Sequence, residues 1–237
     1  MADSPSARVE KTFANAEAQA LALAEQVADR LREAIAQRGV ALIAVSGGKS
    51  PIRLFQLLSA ADLAWQSVTV TLVDERWVAP DHADSNERLV REHLLVGKAA
   101  PARFVSMKNA AATPEEGIPA CNAELAKLPL PFDVVVLGMG DDGHTASFFP
   151  QAPGLTAALD TSSKSLCAAV RPQTAPHPRM TLTLRVLQES RWLVLPLQGE
   201  SKLRVYRNAL QDGPVELMPV RAVLRQTVAP IEVWLAN

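Results

Sequence analysis

Apolar positions along this chain fall into two kinds of run that alternate. Ala41–Val45, Val68–Val73, Val134–Leu137 and Trp192–Leu197 are short, aliphatic and almost free of polar alternation, the pattern of strands buried on both faces. Between them lie segments of helical period. Ala16–Gln37 is alanine-rich, carries Leu21, Leu23, Val27, Leu31 and Ile35 near helical spacing, and closes at Gly39. Pro51 suits the first turn of a helix through Leu54, Phe55, Leu57 and Leu58. Asp84-Ser-Asn-Glu87 resembles a capping box that opens a helix to about Leu95. Further helices are predicted over Thr113–Lys127 and from Gly199-Glu-Ser-Lys202 to about Leu210.

Less regular runs complete the pattern. Val9–Phe13 fits a short edge strand, and a shorter one is expected near Phe104. Ser165–Val170 and Arg179–Leu184 are strand-like and joined by the proline-rich Arg171–Pro178, and Ile231–Leu235 makes a last strand. Strands alternating with helices predict an α/β fold with a mainly parallel, twisted sheet flanked by helices, Rossmann-like in layout. The whole chain, 1–237, is expected to be one domain, with no internal repeat or low-complexity linker.

In such sheets ligands bind beyond the carboxyl ends of the strands. Four strand ends here carry glycine, charge or histidine: Ser46–Ser50, Asp74–Arg76, Gly138–His144 and Gly199–Lys202. The densest is Asp133-Val-Val-Val-Leu-Gly-Met-Gly-Asp-Asp-Gly-His144-Thr-Ala-Ser-Phe-Phe-Pro150, in which a buried strand breaks into three glycines and two aspartates and delivers a histidine where a helix could begin.

Composition narrows the classes. A hydrophobic content of 48% in 237 residues is enough for a core that needs no disulfide or metal staple. Lys+Arg 24 against Asp+Glu 25 gives a net charge of −1, which argues against a nucleic acid or a membrane surface held by bulk charge. Anion binding must then be local. Cys121 and Cys167 have no paired spacing and are expected to be reduced thiols. Met1–Arg8 is polar, and Ala14–Ile35 carries six charges, so neither reads as a leader or a membrane span. A cytoplasmic enzyme is the expectation.

Gly138-Met-Gly140-Asp-Asp-Gly143 matches the G-x-G-x-x-G spacing of dinucleotide loops. Asp141 and Asp142 sit inside it, however, and would repel a phosphate unless turned outward. Gly48-Lys49-Ser50 looks like the end of a P-loop, but Ile43 stands where that motif needs glycine. What remains is a smaller anion site. The amides of Gly47 and Gly48, the donors of Ser46, Lys49 and Ser50, and the following helix N-terminus would suit one phosphoryl group; a plain strand-to-helix turn is the competing reading.

His144 can be read as a metal ligand, a cap or core histidine, or a general base. No H-x-x-H, H-E-x-x-H or nearby cysteine supplies ligand partners. A base needs a pKa near neutrality and an orienting carboxylate, which Asp142 offers. There is no G-x-S-x-G elbow, and Ser147 more plausibly caps or packs than attacks. Direct attack by water, or proton abstraction, is therefore the expected chemistry, and an activated acyl group such as a lactone is its easiest target. Arg76, Arg179 and Lys202 stand near strand ends; each alone reads as a solvated cation, but together they suit a phosphorylated substrate.

These motifs together resemble the 6-phosphogluconolactonase family. The resemblance rests on Val45-Ser-Gly-Gly-Lys-Ser-Pro51, Val73-Asp-Glu-Arg-Trp-Val78 with Ser85-Asn86, the Gly138–Pro150 stretch, Pro178-Arg-Met-Thr-Leu-Thr183 and Gly199-Glu-Ser-Lys202, in the family's order and over most of the chain. It implies a fold related to glucosamine-6-phosphate deaminase and no metal or nucleotide cofactor. His144 becomes the base that activates water, with Asp142 beside it. The substrate is a phosphorylated sugar lactone, its phosphate near Ser46, Gly47, Gly48, Lys49, Ser50, Arg179 and Lys202, with Asp74 and Arg76 in the same pocket. The first loop departs from the Ser-Gly-Gly-Ser-Thr-Pro common in the wider group, which keeps the amide role and leaves Lys49 and Ser50 without an assigned share. A monomer with no nucleic-acid or membrane partner is expected. Two rivals remain at this stage. One is a deaminase or sugar-phosphate isomerase, although Thr145-Ala-Ser-Phe-Phe-Pro150 lacks the acidic residue that group carries before its proline. The other is a non-catalytic phosphosugar sensor.

Overall fold

The computed structural model describes residues 8–237, so the polar stretch before Arg8 lies outside the described residues. Ten strands form, in chain order, as β1 Val9–Phe13, β2 Ala41–Val45, β3 Val68–Leu72, β4 Asp74–Arg76, β5 Arg103–Phe104, β6 Val134–Val136, β7 Cys167–Val170, β8 Arg179–Leu182, β9 Leu193–Gln198 and β10 Ile231–Ala236. Eight helices accompany them: α1 Ala16–Arg38, α2 Ile52–Ser59, α3 Asn86–His93, α4 Pro114–Leu125, α5 Leu155–Leu159, α6 Leu184–Gln188, α7 Gly199–Leu210 and α8 Val220–Leu224.

Seven strands make one parallel sheet in the order β1-β10-β9-β6-β2-β3-β5. The aliphatic runs occupy its middle, where helices cover both faces and alternation is not needed. β2 and β6 are buried at every residue. α1 lays Leu23, Val27, Leu31 and a row of alanines into the core, and the Asn15 side chain caps it by accepting from the Ala18 N–H at 2.9 Å. Small residues on that stripe let the helix approach the sheet closely. The edge position of β1 and the elements over 41–45, 113–127 and 199–210 agree with the sequence pattern to within a residue or two. α3 starts one residue later than the capping-box reading, with Ser85 rather than Asp84 as its cap.

The other three strands form a second, antiparallel sheet in the order β4-β8-β7. The sequence pattern did not assign these strands to a sheet of their own, and it placed Asp74–Arg76 at the end of the preceding strand. Val73 is the joint between the sheets. Its N–H donates to Val45 O at 2.9 Å in the large sheet, and its carbonyl accepts from Leu182 N at 2.8 Å in the small one. Immediately past the end of β3, therefore, the chain is already paired again. Asp74 and Arg76 become alternate residues of β4 on one face, opposite Thr181 and Arg179 of β8.

Glu75 points to the other face of β4 and anchors α3. Its carboxylate accepts from the N–H groups of Arg76, Asn86 and Glu87 at 2.7–2.8 Å and from the Ser85 hydroxyl at 3.0 Å. Burial pushes this carboxyl up, and the four donors pull against that. The consequence for the site is positional: the helix start carrying Asn86 is fixed to the strand carrying Asp74 and Arg76.

Candidate active site

The four strand ends singled out by glycine, charge and histidine belong to β2, β3, β6 and β9, and these strands are neighbours in the order β9-β6-β2-β3. They open onto one cavity of about 420 Å³. Ser46, Gly47, Gly48, Ser50, Asp74, Arg76, His144, Arg179 and Lys202 all line it. Of the expected site residues, Lys49 and Asp142 do not. Lys49 is exposed, and Asp142 stands behind the His144 ring.

After β6 the chain closes on itself in a set of turns. Gly140 N–H donates to the His144 carbonyl at 2.8 Å, Gly143 N–H to Gly140 O at 3.1 Å, and the Thr145 hydroxyl to Gly138 O at 2.7 Å. No helix begins at His144, contrary to the expectation from sequence. The reason lies downstream: Ser147 donates its N–H to Thr181 Oγ1 at 3.3 Å and its hydroxyl to Asp74 Oδ2 at 2.5 Å, so the small sheet holds the segment in turns. Gly140 is required by close approach. A Cβ there would lie 2.2 Å from the His144 ring and 2.7 Å from Asp142 Oδ1.

His144 Nδ1 lies 2.5 Å from Asp142 Oδ1, and the His144 N–H donates to the same oxygen at 3.0 Å. Burial raises the Asp142 pKa, but the hydrogen bonds and charge of His144 outweigh it and hold the carboxyl below its ordinary value. A carboxylate only accepts, so Nδ1 carries the proton and Nε2 presents a lone pair. Phe149 stacks on the ring, with centroids 4.1 Å apart and planes at 26°. The imidazole is thus fixed at one edge and one face.

The phosphate-type donors lie on adjoining walls. Among the described residues, the backbone N–H groups of Gly47, Gly48, Lys49 and Ser50 donate to no protein acceptor. Gly47 also has no room for a side chain, since a Cβ would lie 1.8 Å from the Asn86 amide oxygen. Pro51 precedes α2 rather than opening it, and the Ile52 N–H turns back to Lys49 O at 3.3 Å. The loop amides, more than the helix end, are the free donors.

Arg76 and Arg179 are direct cross-strand partners, an arrangement of like charges that destabilises a sheet unless an anion lies between them. Arg76 Nη1 donates to Asp84 O at 2.6 Å and Arg179 Nη2 to Pro176 O at 3.1 Å. Among the described residues, six buried side-chain polar atoms lack a protein partner, and Ser46 Oγ, Arg76 Nε and Arg179 Nε are three of them, all on cavity-lining residues. Burial pulls the Arg179 pKa down from an arginine's ordinary value, which leaves it charged at neutral pH. Lys202 pairs with Asp141 at 2.9 Å, and Asp141 is 72% exposed. The acidic residue that would repel a phosphate is thus turned outward. Its surface ion pair is worth under about 1 kcal/mol, so a dianion can take the lysine over.

A family model described as glucosamine-6-phosphate isomerases/6-phosphogluconolactonase matches residues 14–231. The chain belongs to this family. It is 48% identical over 215 residues to a 6-phosphogluconolactonase of Pseudomonas aeruginosa, covering 91% of this chain and 90% of that protein. Identity to a 6-phosphogluconolactonase of Rhizobium meliloti is 46% over 224 residues, covering 94% and 97%. The crystal structure of a 6-phosphogluconolactonase from Shewanella baltica superposes with a TM-score of 0.95 at 46% identity, covering 99% of this chain and 100% of that one.

Within this family fold, three wall residues had no role in the sequence reading. Asn86 fills the space against Gly47 and donates to Asp74 O at 2.8 Å; Phe149 supports the His144 ring; His177 lines the cavity beside Asp84. The first two lie inside motifs that were legible, Ser85-Asn86 and Phe148-Phe149-Pro150. His177 had no local signal.

Proposed function

We propose that this protein hydrolyses 6-phospho-D-glucono-1,5-lactone to 6-phospho-D-gluconate in the oxidative pentose phosphate pathway. The observation that carries the reading is the His144 ring, fixed by Asp142 and Phe149 at the wall of a cavity whose other walls hold unpartnered cationic and amide donors. Its kinship with relatives named 6-phosphogluconolactonase supports the same substrate.

His144 Nε2 takes a proton from a water as that water's oxygen bonds to C1 of the lactone. The carbonyl electrons move onto its oxygen, where the guanidinium of Arg76 is the candidate to stabilise the charge. Collapse re-forms the C=O bond and breaks the C1–ring oxygen bond. The imidazolium returns its proton to the leaving oxygen, which becomes the C5 hydroxyl. Asp142 holds the proton on Nδ1 throughout and stabilises the imidazolium between the two transfers. Ser46–Ser50, Arg179 and Lys202 grip the remote phosphate and place C1 against the base. No metal or nucleotide enters this chemistry.

On this reading the protein works in the cytoplasm, as a monomer, on a small molecule. No helix of the described residues is long and apolar enough to cross a membrane. The test is hydrolysis of freshly generated 6-phosphogluconolactone beside the unphosphorylated lactone, corrected for spontaneous opening. The phosphorylated lactone should be strongly preferred, and His144→Asn should lower kcat by about a hundredfold or more. Equal rates on the two lactones would refute the phosphate site, and ammonia release from glucosamine 6-phosphate would point to the deaminase branch of the family.

A further inference from the structure

Away from the catalytic loop, two of the chain's four histidines converge on a single carboxylate. His82 and Asp84 lie on the segment between β4 and α3, and His177 lies at the end of the proline-rich stretch before β8. His177 Nε2 is 2.9 Å from Asp84 Oδ2, and His82 Nδ1 is 3.8 Å from the same oxygen. The two rings meet edge-on, with centroids 5.5 Å apart and planes at 77°. One ligand atom from each residue lies within 4.8 Å of the others. His177 is held here in the left-handed region, φ 69°, a conformation uncommon for a residue with a side chain.

We propose that His82, Asp84 and His177 form a binding site for a zinc-class divalent transition metal at the rim of the substrate cavity. Two imidazoles and one carboxylate are a borderline nitrogen–oxygen set that suits Zn²⁺ and not Mg²⁺ or Ca²⁺, which prefer shells of oxygen. Bonds of about 2.0–2.2 Å put tetrahedral ligands roughly 3.3–3.5 Å apart. The present separations of 2.9 and 3.8 Å bracket that value, so both distances reach it by shifts of a few tenths of an ångström. Neutral His177 needs only to move its proton from Nε2 to Nδ1. His82 Nδ1 accepts the Asp84 N–H at 3.1 Å, so it is the unprotonated ring nitrogen, and that bond gives way when an ion takes the lone pair.

The surroundings fit an open, three-ligand site. His82 and Asp84 side chains are 45% and 51% exposed, which leaves water the fourth position. Arg76 donates to the Asp84 backbone carbonyl and leaves the carboxylate to the imidazoles. Asp84 and His177 also line the cavity, so a bound ion would tie the segment after β4 to the proline-rich segment across the cavity's mouth. The ion takes no part in the hydrolysis, and its binding does not depend on the lactonase reading.

The test is calorimetric titration of the full protein with Zn²⁺ alone, repeated with Mg²⁺. One zinc site is expected, with no magnesium binding at the same concentrations. His82→Gln and His177→Gln should each weaken zinc by about tenfold or more, since even groups that only support metal ligands are worth that much. His93→Gln and His144→Asn should leave the affinity unchanged. The ring C–H resonances of His82 and His177 should shift together as zinc is added, while that of His93 stays put. Absence of zinc binding up to millimolar concentration, retention of full affinity in both ligand variants, or its loss in His144→Asn would each overturn the proposal.

Discussion

The Ser147 hydroxyl donates to Asp74 Oδ2 at 2.5 Å, and both side chains are buried. This bond joins the far end of the catalytic loop to the strand that carries Arg76. It also gives Asp74, expected from sequence among the substrate-binding groups, a second contact. Asp74 lines the cavity, and one oxygen of its carboxylate is committed to the loop. His144 and the two arginines are thus held in one frame through this contact.

Ser147→Ala should therefore act on both stability and turnover. Removing the hydroxyl leaves a buried carboxylate oxygen without its donor, at a cost of about 1–3 kcal/mol. The loop loses an anchor three residues past His144, so kcat should fall while KM for the phosphorylated lactone moves less. Denaturant midpoints and steady-state kinetics on one preparation read both. A variant of wild-type stability and turnover would show that the bond holds nothing.

The contrast between what was and was not legible follows from range. β2, β3, β6 and β9 announce themselves because burial on both faces removes polar residues from the run itself. The Gly138–His144 site was legible because strand end, glycines, acid and base are contiguous. β4 is three charged residues, and only its pairing with β8, more than a hundred residues later, makes it a strand. Once Asp74 and Arg76 are placed on that strand, the pairing of Arg76 with Arg179 follows, but no local pattern contains it. α5, α6 and α8 have five residues each, too few to show a helical period. The helix expected at His144 was a fair local reading that a tertiary contact, Ser147 with Asp74 and Thr181, overrides.

Gly140→Ala tests whether the base depends on its seat. The added Cβ would lie 2.2 Å from the His144 ring, and the atoms it meets are side-chain atoms that can swing away. The ring should leave Asp142 rather than the fold breaking. The expected result is a kcat loss approaching that of His144→Asn, with a Tm close to wild type. A large Tm drop with kcat preserved in the folded fraction would mean that the glycine serves folding instead.

Asp142 gives a pH signature with a definite sign. Its folded pKa lies below the ordinary value of an aspartate, so the native state favours the ionised form more than the unfolded chain does. The resulting stabilisation is fully present above that unfolded value and is lost as pH falls through the lower, folded one. Asp142→Asn should therefore be less stable than wild type near neutrality, and the gap should close below about pH 4. Urea midpoints of both proteins across that range check it. A gap that is constant with pH would mean the carboxylate's charge contributes nothing to stability.

The cross-strand arginines make the sharpest separation between binding and chemistry. Arg179 is nearly buried, faces Arg76 across β4 and β8, and has an Nε–H with no protein acceptor. If the phosphate is what the pair awaits, Arg179→Lys removes the planar fork while keeping the charge, and a charge-assisted bond worth about 1.5–3 kcal/mol is lost. KM for 6-phosphogluconolactone should then rise by roughly tenfold or more, while the slow rate on the unphosphorylated lactone stays unchanged. The positive charge opposite Arg76 is kept, so the substrate-free variant should have nearly the stability of wild type. An equal fall in rate on both lactones would instead place Arg179 beside the reacting carbonyl and move the phosphate towards Ser46–Ser50 and Lys202 alone.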